Sequence, residues 1–312
     1  MKYRLVTRSD FDGLVCAVLL RHLNMIDEIT FVHPKDVQDG TVEVTDRDIL
    51  TNLPYAPAAH MVFDHHHSET LRTGGNAHNH VIEASAPSAA RVIYEHFGGA
   101  ARFPQVSPEL MAAVDQADSA AYGLDDILRP TGWTLLNFLM DSRTGLGRFR
   151  EFRISNYQLM MQLIDACIAH RDVAGILALP DVAERAALYA DQAELFVEQL
   201  RRVSRVDGDV VIVDLREEEI IHAGNRFMVY ALFPQARVSV HVIWGRQKLN
   251  TVLAVGKSIL DRTSPVDIGA VMLRYGGGGH LAAGTCQVPH EMSEHALAEI
   301  VDAVRTPRTV SV

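Results

Sequence analysis

Acids and imidazoles collect at a few points of this chain in numbers that a folding core would not select. Val62-Phe63-Asp64-His65-His66-His67-Ser68-Glu69 is an apolar run that stops in an acid and three consecutive histidines, and Arg8-Ser9-Asp10-Phe11-Asp12-Gly13 places two acids at alternate positions. Asp46 and Asp48 follow Val42-Glu43-Val44, and Asp115 and Asp118 close the apolar segment that starts at Pro108. Carboxylates with a few imidazoles are the donor set of divalent cations. Two such ions about 3.5–4 Å apart can share a water, acidify it and neutralise a phosphoryl group during in-line attack. Hydrolysis of a phosphoester or phosphoanhydride is the chemistry this donor set fits. Ser9 and Ser68 have no histidine–acid pair placed to activate them, so a serine nucleophile is not expected.

A second set of residues suits anions. Asp141-Ser142-Arg143-Thr144-Gly145-Leu146-Gly147-Arg148 sets Arg143 in a glycine-containing turn, where a guanidinium can meet a phosphate with two parallel hydrogen bonds. Gly276-Gly277-Gly278-Gly279-His280 is a poor helix or strand interior, and its entropic cost makes sense where backbone approaches a ligand closely; a tight turn is the alternative. Arg274 is a further phosphate candidate beside it. His78 and His80, in the stretch Thr73 to His80, are expected in a surface loop.

These residues need elements to hold them. Tyr3 to Thr7 reads as a strand, followed by the Asp10 loop and a buried helix from Leu14 to about Asn24. If that loop continues the strand, alternation aims Asp10 and Asp12 the same way; the same pattern arises when one aspartate caps the helix. Ile29 to Val32, Val42 to Val44 and the run into Asp64 read as further strands, and Ser88 to Phe97 and Pro108 to Val114 as helices. On a helix Asp115 and Asp118 share a face, and Asp115 is the better inward candidate. In an open α/β sheet, ligands bind beyond the carboxyl ends of the strands. Residues 157–203 are helical in pattern, with breaks at Gly175 and Pro180, and form a bridge without linker composition. Beyond Asp207, Val210 to Leu215, Phe227 to Phe233, Val238 to Trp244 and Asn250 to Val255 read as strands, and Pro265 to Arg274 as a helix. The expected fold is α/β: an N-terminal parallel sheet with helices on both faces (1–155), a helical bridge (156–206) and a smaller mixed α/β domain (207–312).

Composition narrows the partners. The 312 residues carry a formal charge of −10, with 18 basic against 27 acidic residues in 1–204 and 11 against 12 in 205–312. That balance disfavours electrostatic binding to long duplex nucleic acid. Cys16, Cys167 and Cys286 are odd in number and far apart, against a disulfide framework or a cysteine zinc site. No apolar run approaches the roughly 20 residues of a membrane span, and the start carries no signal segment, so a cytoplasmic location is expected.

In order and spacing, Asp10-Phe11-Asp12-Gly13, Asp48, Asp64-His65-His66 and Asp115 resemble the four N-terminal motifs of the DHH phosphoesterase family. Gly276 to His280 resembles the glycine-rich signature of its associated C-terminal domain, and 33–55 looks like an exopolyphosphatase-related, oligoribonuclease-like subgroup. The resemblance implies two divalent ions, manganese first, with magnesium or cobalt as substitutes. Asp10 would bind one, Asp48 would bridge both, and Asp12, His65 and Asp115 would complete the second, with Asp46 and Asp118 as alternatives to Asp48 and Asp115. Asp64 would orient a neighbouring ligand and His66 would contact the scissile phosphate. Arg143, Gly276, Gly277, Gly278, Gly279 and His280 would bind substrate. One position departs from the pattern: Arg8 stands where most members have a metal-binding histidine, and a guanidinium cannot coordinate metal. Either the first ion is weak, or Arg8 turns to the substrate phosphate as a catalytic group. The resemblance implies hydrolysis of short oligonucleotides or nucleotide-like phosphoesters; inorganic polyphosphate, or nucleotide sensing without turnover, are the alternatives. Its partners would be a short single-stranded nucleic acid, a nucleotide or polyphosphate, and a second copy of the chain in a homodimer.

Overall fold

The computed structural model describes residues 2–74, 77–149, 151–169 and 172–305. The chain divides into two compact units, one of residues 1–121 with 130–189 and one of residues 122–129 with 190–312. The segment 156–206, expected as a bridge, is therefore shared between them.

The first unit holds a five-stranded sheet of β1 (Tyr3–Thr7), β2 (Ile26–Phe31), β3 (Asp48–Thr51), β4 (Met61–Asp64) and β5 (His80–Ile82), in the order β2-β1-β3-β4-β5. Every pairing is parallel. Consecutive residues point to opposite faces, and Leu5 with Val6, Ile49 with Leu50 and Val62 with Phe63 are all fully buried, so both faces are covered. The helix Phe11–His22 is buried from Phe11 to Leu20, as its dense apolar run predicts. It starts earlier than Leu14 because Asp10, in extended conformation, accepts the Gly13 N–H and caps it, worth about 1 kcal/mol. Gly13 is required there: a Cβ would lie 2.1 Å from the Arg8 carbonyl oxygen.

Two expectations for this unit are corrected. Val42 to Val44 is not a strand; Val42 and Val44 pack as irregular chain over Val6, Leu50 and Val62, so their alternation serves a sheet face that they cover rather than join. His80 is not in a surface loop; it lies in β5, 7% exposed and stacked on Tyr55, while His78 is exposed.

The second unit holds a six-stranded mixed sheet of β6 (Ser204–Asp207), β7 (Val210–Asp214), β8 (Val238–Trp244), β9 (Thr251–Lys257), β10 (Gly278–His280) and β11 (Ala283–Val288), ordered β10-β11-β9-β8-β7-β6. Val238, Val240 and Val242 alternate onto one face with Leu253 and Val255, where helices Ile268–Leu273 and Ser293–Val304 supply Ile268, Met272, Leu297 and Ile300. Phe227 to Phe233 forms the helix Met228–Leu232 instead of a strand: an apolar run without alternation does not separate the two, and the Asn225 side chain accepts from Phe227 N–H to start the turn. The glycine run, a poor strand interior by composition, enters the short edge strand β10. Pro180 opens the helix Pro180–Val203 rather than breaking one, as proline does at a first helical turn.

Candidate metal centre

The strand order reverses between β1 and β3, because β2 lies on one side of β1 and β3 on the other. That switch point opens a crevice beyond the carboxyl ends of these strands. Arg8, Ser9 and Asp10 leave β1 there, and Asn52 leaves β3. The ends are tied by Thr51 Oγ1, which donates to Thr7 Oγ1 at 2.8 Å.

Three ligand atoms, one each from Asp12, His65 and Asp118, lie within 4.8 Å of one another. Asp12 sits in the first turn of its helix, 2% exposed, and its two oxygens accept the N–H groups of Ala89 (3.1 Å) and Ala90 (2.8 Å) at the start of helix Ala89–His96. His65 follows β4 directly. Its Nδ1–H donates to the Ala86 carbonyl at 3.2 Å, which fixes the ring and turns Nε2 to the cluster. Nε2 lies 2.9 Å from Asp118 Oδ2 without the alignment of a hydrogen bond. Two ligand atoms about 2.1 Å from one octahedral ion at a right angle lie about 3.0 Å apart, so the spacing is that of neighbouring ligands.

The electrostatics are those of crowded acids awaiting a cation. Burial, then the charge of Asp118, pushes Asp12 up to about 8. Burial disfavours the His65 imidazolium, but Asp118, Asp12 and Asp64 outweigh it and raise the ring to about 9. Asp118 is held below the usual carboxylate range despite its burial, because His65 pairs with it. Asp64, fully buried, accepts from His66 Nδ1 at 2.7 Å through Oδ1, and its Oδ2 has no hydrogen-bond partner among the described residues. That contact leaves Nε2 as the outward nitrogen of His66.

Other expected ligands are placed elsewhere. Asp48 stands at the first residue of β3, the opposite end from the crevice, because no strand precedes it. Its carboxylate takes Arg4 Nε at 2.7 Å and Thr45 N–H at 2.7 Å, and these donors hold it below the usual range against its burial. Asp46 is exposed in the preceding turn. Asp115 lies one turn from Asp118 but accepts from Ser88 Oγ at 2.8 Å and Arg91 Nε at 3.0 Å, so Asp118 is the member of the pair that meets Asp12 and His65. Asp10 is outside the cluster. Its Oδ1 takes Gly13 N–H at 2.9 Å and its Oδ2 lies 3.1 Å from Arg8 Nε, while Asn52 Nδ2 approaches both at 3.4 and 3.5 Å. Sequence reading passed over Asn52. The available signal was its place directly after the apolar run Ile49 to Thr51, where a strand's carboxyl end had to fall.

Arg143 occupies a 3-10 turn, Ser142–Thr144, capped by Asp141, to which its Nε donates at 2.7 Å. Burial lowers Arg143, but Asp141 and then Asp10 and Asp118 raise it above its ordinary value. In the second unit, β10 runs antiparallel to β11. A Cβ on Gly277 would lie 2.2 Å from the Thr285 carbonyl oxygen, and one on Gly279 would lie 2.3 Å from that of Ala283, whereas one on Gly278 would meet nothing within 4 Å among the described residues. Gly276 has a positive φ of 69°. Gly278 alone has neither steric nor conformational reason to be glycine. His280 and Arg274 beside it are exposed.

No protein-family model matches the sequence, and no curated protein does. Among solved structures the chain is similar to a pGpG-specific phosphodiesterase, PggH of Vibrio cholerae, at 57% sequence identity, over 97% of this chain and 99% of that one, with a TM-score of 0.83. The chain belongs to the DHH phosphoesterase family. The family's two-unit α/β architecture is the one described above. RecJ of Thermus thermophilus shares the fold at 16% identity: its Mg2+ complex matches over 98% of this chain and 50% of that one, TM-score 0.51, and its Mn2+ complex over 97% and 52%, TM-score 0.50. This chain thus spans about half of RecJ. Among the described residues no helix is long and apolar enough to cross a membrane.

Proposed function

We propose that this protein is a metal-dependent phosphodiesterase that adds water across the internal phosphodiester of a short linear dinucleotide of the pGpG type, releasing two nucleoside monophosphates. The observation that carries the chemistry is the convergence of Asp12, His65 and Asp118 on one point at the sheet's switch crevice. The likeness to the pGpG-specific phosphodiesterase supports a dinucleotide as the substrate. Asp12, His65 and Asp118 would hold an ion, manganese in our reading, which would supply Lewis-acid neutralisation of the phosphoryl oxygens and acidify water.

The chain's own residues do the rest. The helix N-terminus at Ala89 and Ala90 orients Asp12, and the Ala86 carbonyl orients His65. Asp64 holds His66 by Nδ1, so that Nε2 addresses the phosphate. In the first unit Arg143 is our candidate for a substrate phosphate, and in the second unit Gly278 and His280 are our candidates for substrate recognition.

Turnover of pGpG, pApA, a five-nucleotide RNA, a cyclic dinucleotide and polyphosphate, each with manganese, tests the reading. Cleavage of pGpG to GMP at least tenfold faster than any other substrate is expected, and chelator abolishes it. Preferred turnover of polyphosphate would make the protein a phosphoanhydride hydrolase, and binding of pGpG without cleavage would make it a sensor.

A further inference from the structure

We propose that this centre is built for one divalent ion, and that the guanidinium of Arg8, held by Asp10, which Asn52 approaches in turn, is the second positive charge offered to the substrate. The inference rests on the metal-dependent phosphodiester hydrolysis proposed above. It rejects the two-ion arrangement that the sequence resemblance implies.

A second ion would have to sit on Asp10, beside the carboxyl ends of β1 and β3. Both Asp10 oxygens already face donors: Gly13 N–H on one, Arg8 Nε on the other, and the Asn52 amide across both. An ion there would also meet the Arg8 guanidinium, a permanent cation with no lone pair to give. The acceptor at this point that lacks a hydrogen-bond partner among the described residues, Asn52 Oδ1, is neutral. Among the described residues, no group of three His, Cys, Asp or Glu ligand atoms other than Asp12, His65 and Asp118 lies close enough to hold a metal. The carboxylate that would bridge two ions, Asp48, is at the far end of its strand in the grip of Arg4.

The same residues that exclude an ion present a cation. Arg8 is one-third exposed, and its charge favours the ionised form of both Asp10 and Asp118, so it lies within electrostatic reach of the Asp12–His65–Asp118 point. Arg143 acts on the same two carboxylates from the other turn. A phosphodiester under attack develops about two negative charges on its phosphoryl oxygens. One dication and one guanidinium neutralise them, and the guanidinium contributes two parallel donors that an ion does not. Asp10 and Asn52 are positioning residues for Arg8, and Gly13, which only glycine can occupy, keeps Asp10 at the helix cap.

Metal content tells the outcomes apart. After equilibrium dialysis against manganese, inductively coupled plasma mass spectrometry should find one ion per wild-type chain, and the manganese activation curve should have a Hill slope of 1. The Arg8→His/Asn52→Asp double variant, folded by circular dichroism, should rise to two. Arg8→Ala should keep its single ion and lose about a hundredfold in kcat/KM, with part of the loss recovered in Arg8→Lys. Two ions in the wild type, a double variant that stays at one, or an Arg8→Ala enzyme of unchanged kcat/KM would overturn the inference. No bound ion in the wild type would instead overturn the metal reading on which it rests.

Discussion

Asp115 and Asp118 are one helical turn apart, and their different neighbours assign them different work. Asp118 faces His65 Nε2 at 2.9 Å, whereas Asp115 ends in the hydroxyl of Ser88 and the guanidinium of Arg91. Asp118→Asn should therefore weaken manganese binding at least a hundredfold in calorimetric titration and leave the fold intact. Asp115→Asn should do the reverse, keeping metal affinity and lowering stability in urea by about 1–3 kcal/mol, because Arg91 loses its charged partner in a half-buried setting. Metal loss in Asp115→Asn with none in Asp118→Asn would remove the assignment. The spacing of the two acids was visible in the sequence, and so were Asp12 and His65, which the fold brings together with Asp118. What spacing does not carry is the identity of each acid's partner. Arg91 lies 24 residues before Asp115, and Arg4 lies 44 before Asp48. Each claims its aspartate through the tertiary structure, which no local pattern encodes.

At the scale of elements, the glycine strand separates packing from recognition. Gly277 and Gly279 are glycines because β11 backbone passes where a Cβ would be, and Gly269 in the neighbouring helix meets Gly279 in the same way, at 2.8 Å. Gly278 faces open space. Gly277→Ala should cost about 1–3 kcal/mol in urea unfolding through that clash, while Gly278→Ala should stay within about 0.5 kcal/mol of the wild type and raise KM severalfold with kcat held. An unaltered KM in Gly278→Ala would make the run a packing device alone. Strands that end in polar clusters, β1 and β4, were legible because an apolar run breaks abruptly at the crevice. Phe227 to Phe233 and Val42 to Val44 were not, since one lacks alternation and the other alternates for the sake of a sheet it merely covers. β10 was hidden by its composition: glycine is disfavoured in strands for lack of side-chain packing, yet here the absence of a side chain is what lets β11 come close.

For the whole molecule, the division into two units, each with its own sheet and core, makes a prediction that neither sheet makes alone. The chain has two tryptophans, Trp133 in the first unit and Trp244 in the second. Trp133 stacks on Phe11, which lies between Asp10 and Asp12, at a ring distance of 6.0 Å. Trp244 ends β8 and donates its indole N–H to the Arg216 carbonyl at 2.8 Å. Manganese at the proposed Asp12–His65–Asp118 centre should stabilise the first unit by about 2.7 kcal/mol at a hundred times Kd. The second unit answers to acid instead. His241, in the middle of β8, is pushed down to about 4 by burial. Between its ordinary value near 6.5 and that value, the unfolded chain takes up a proton that the folded one refuses, so stability falls as pH falls across this window, by on the order of 2 kcal/mol. Thermal melts of Trp244→Phe, read through Trp133, should move up with manganese at neutral pH. Melts of Trp133→Phe, read through Trp244, should ignore manganese and move down from pH 7 to pH 4.5, and His241→Phe should flatten that descent. If both probes move together under manganese, the two units unfold as one, and the separate accounting of metal and proton fails.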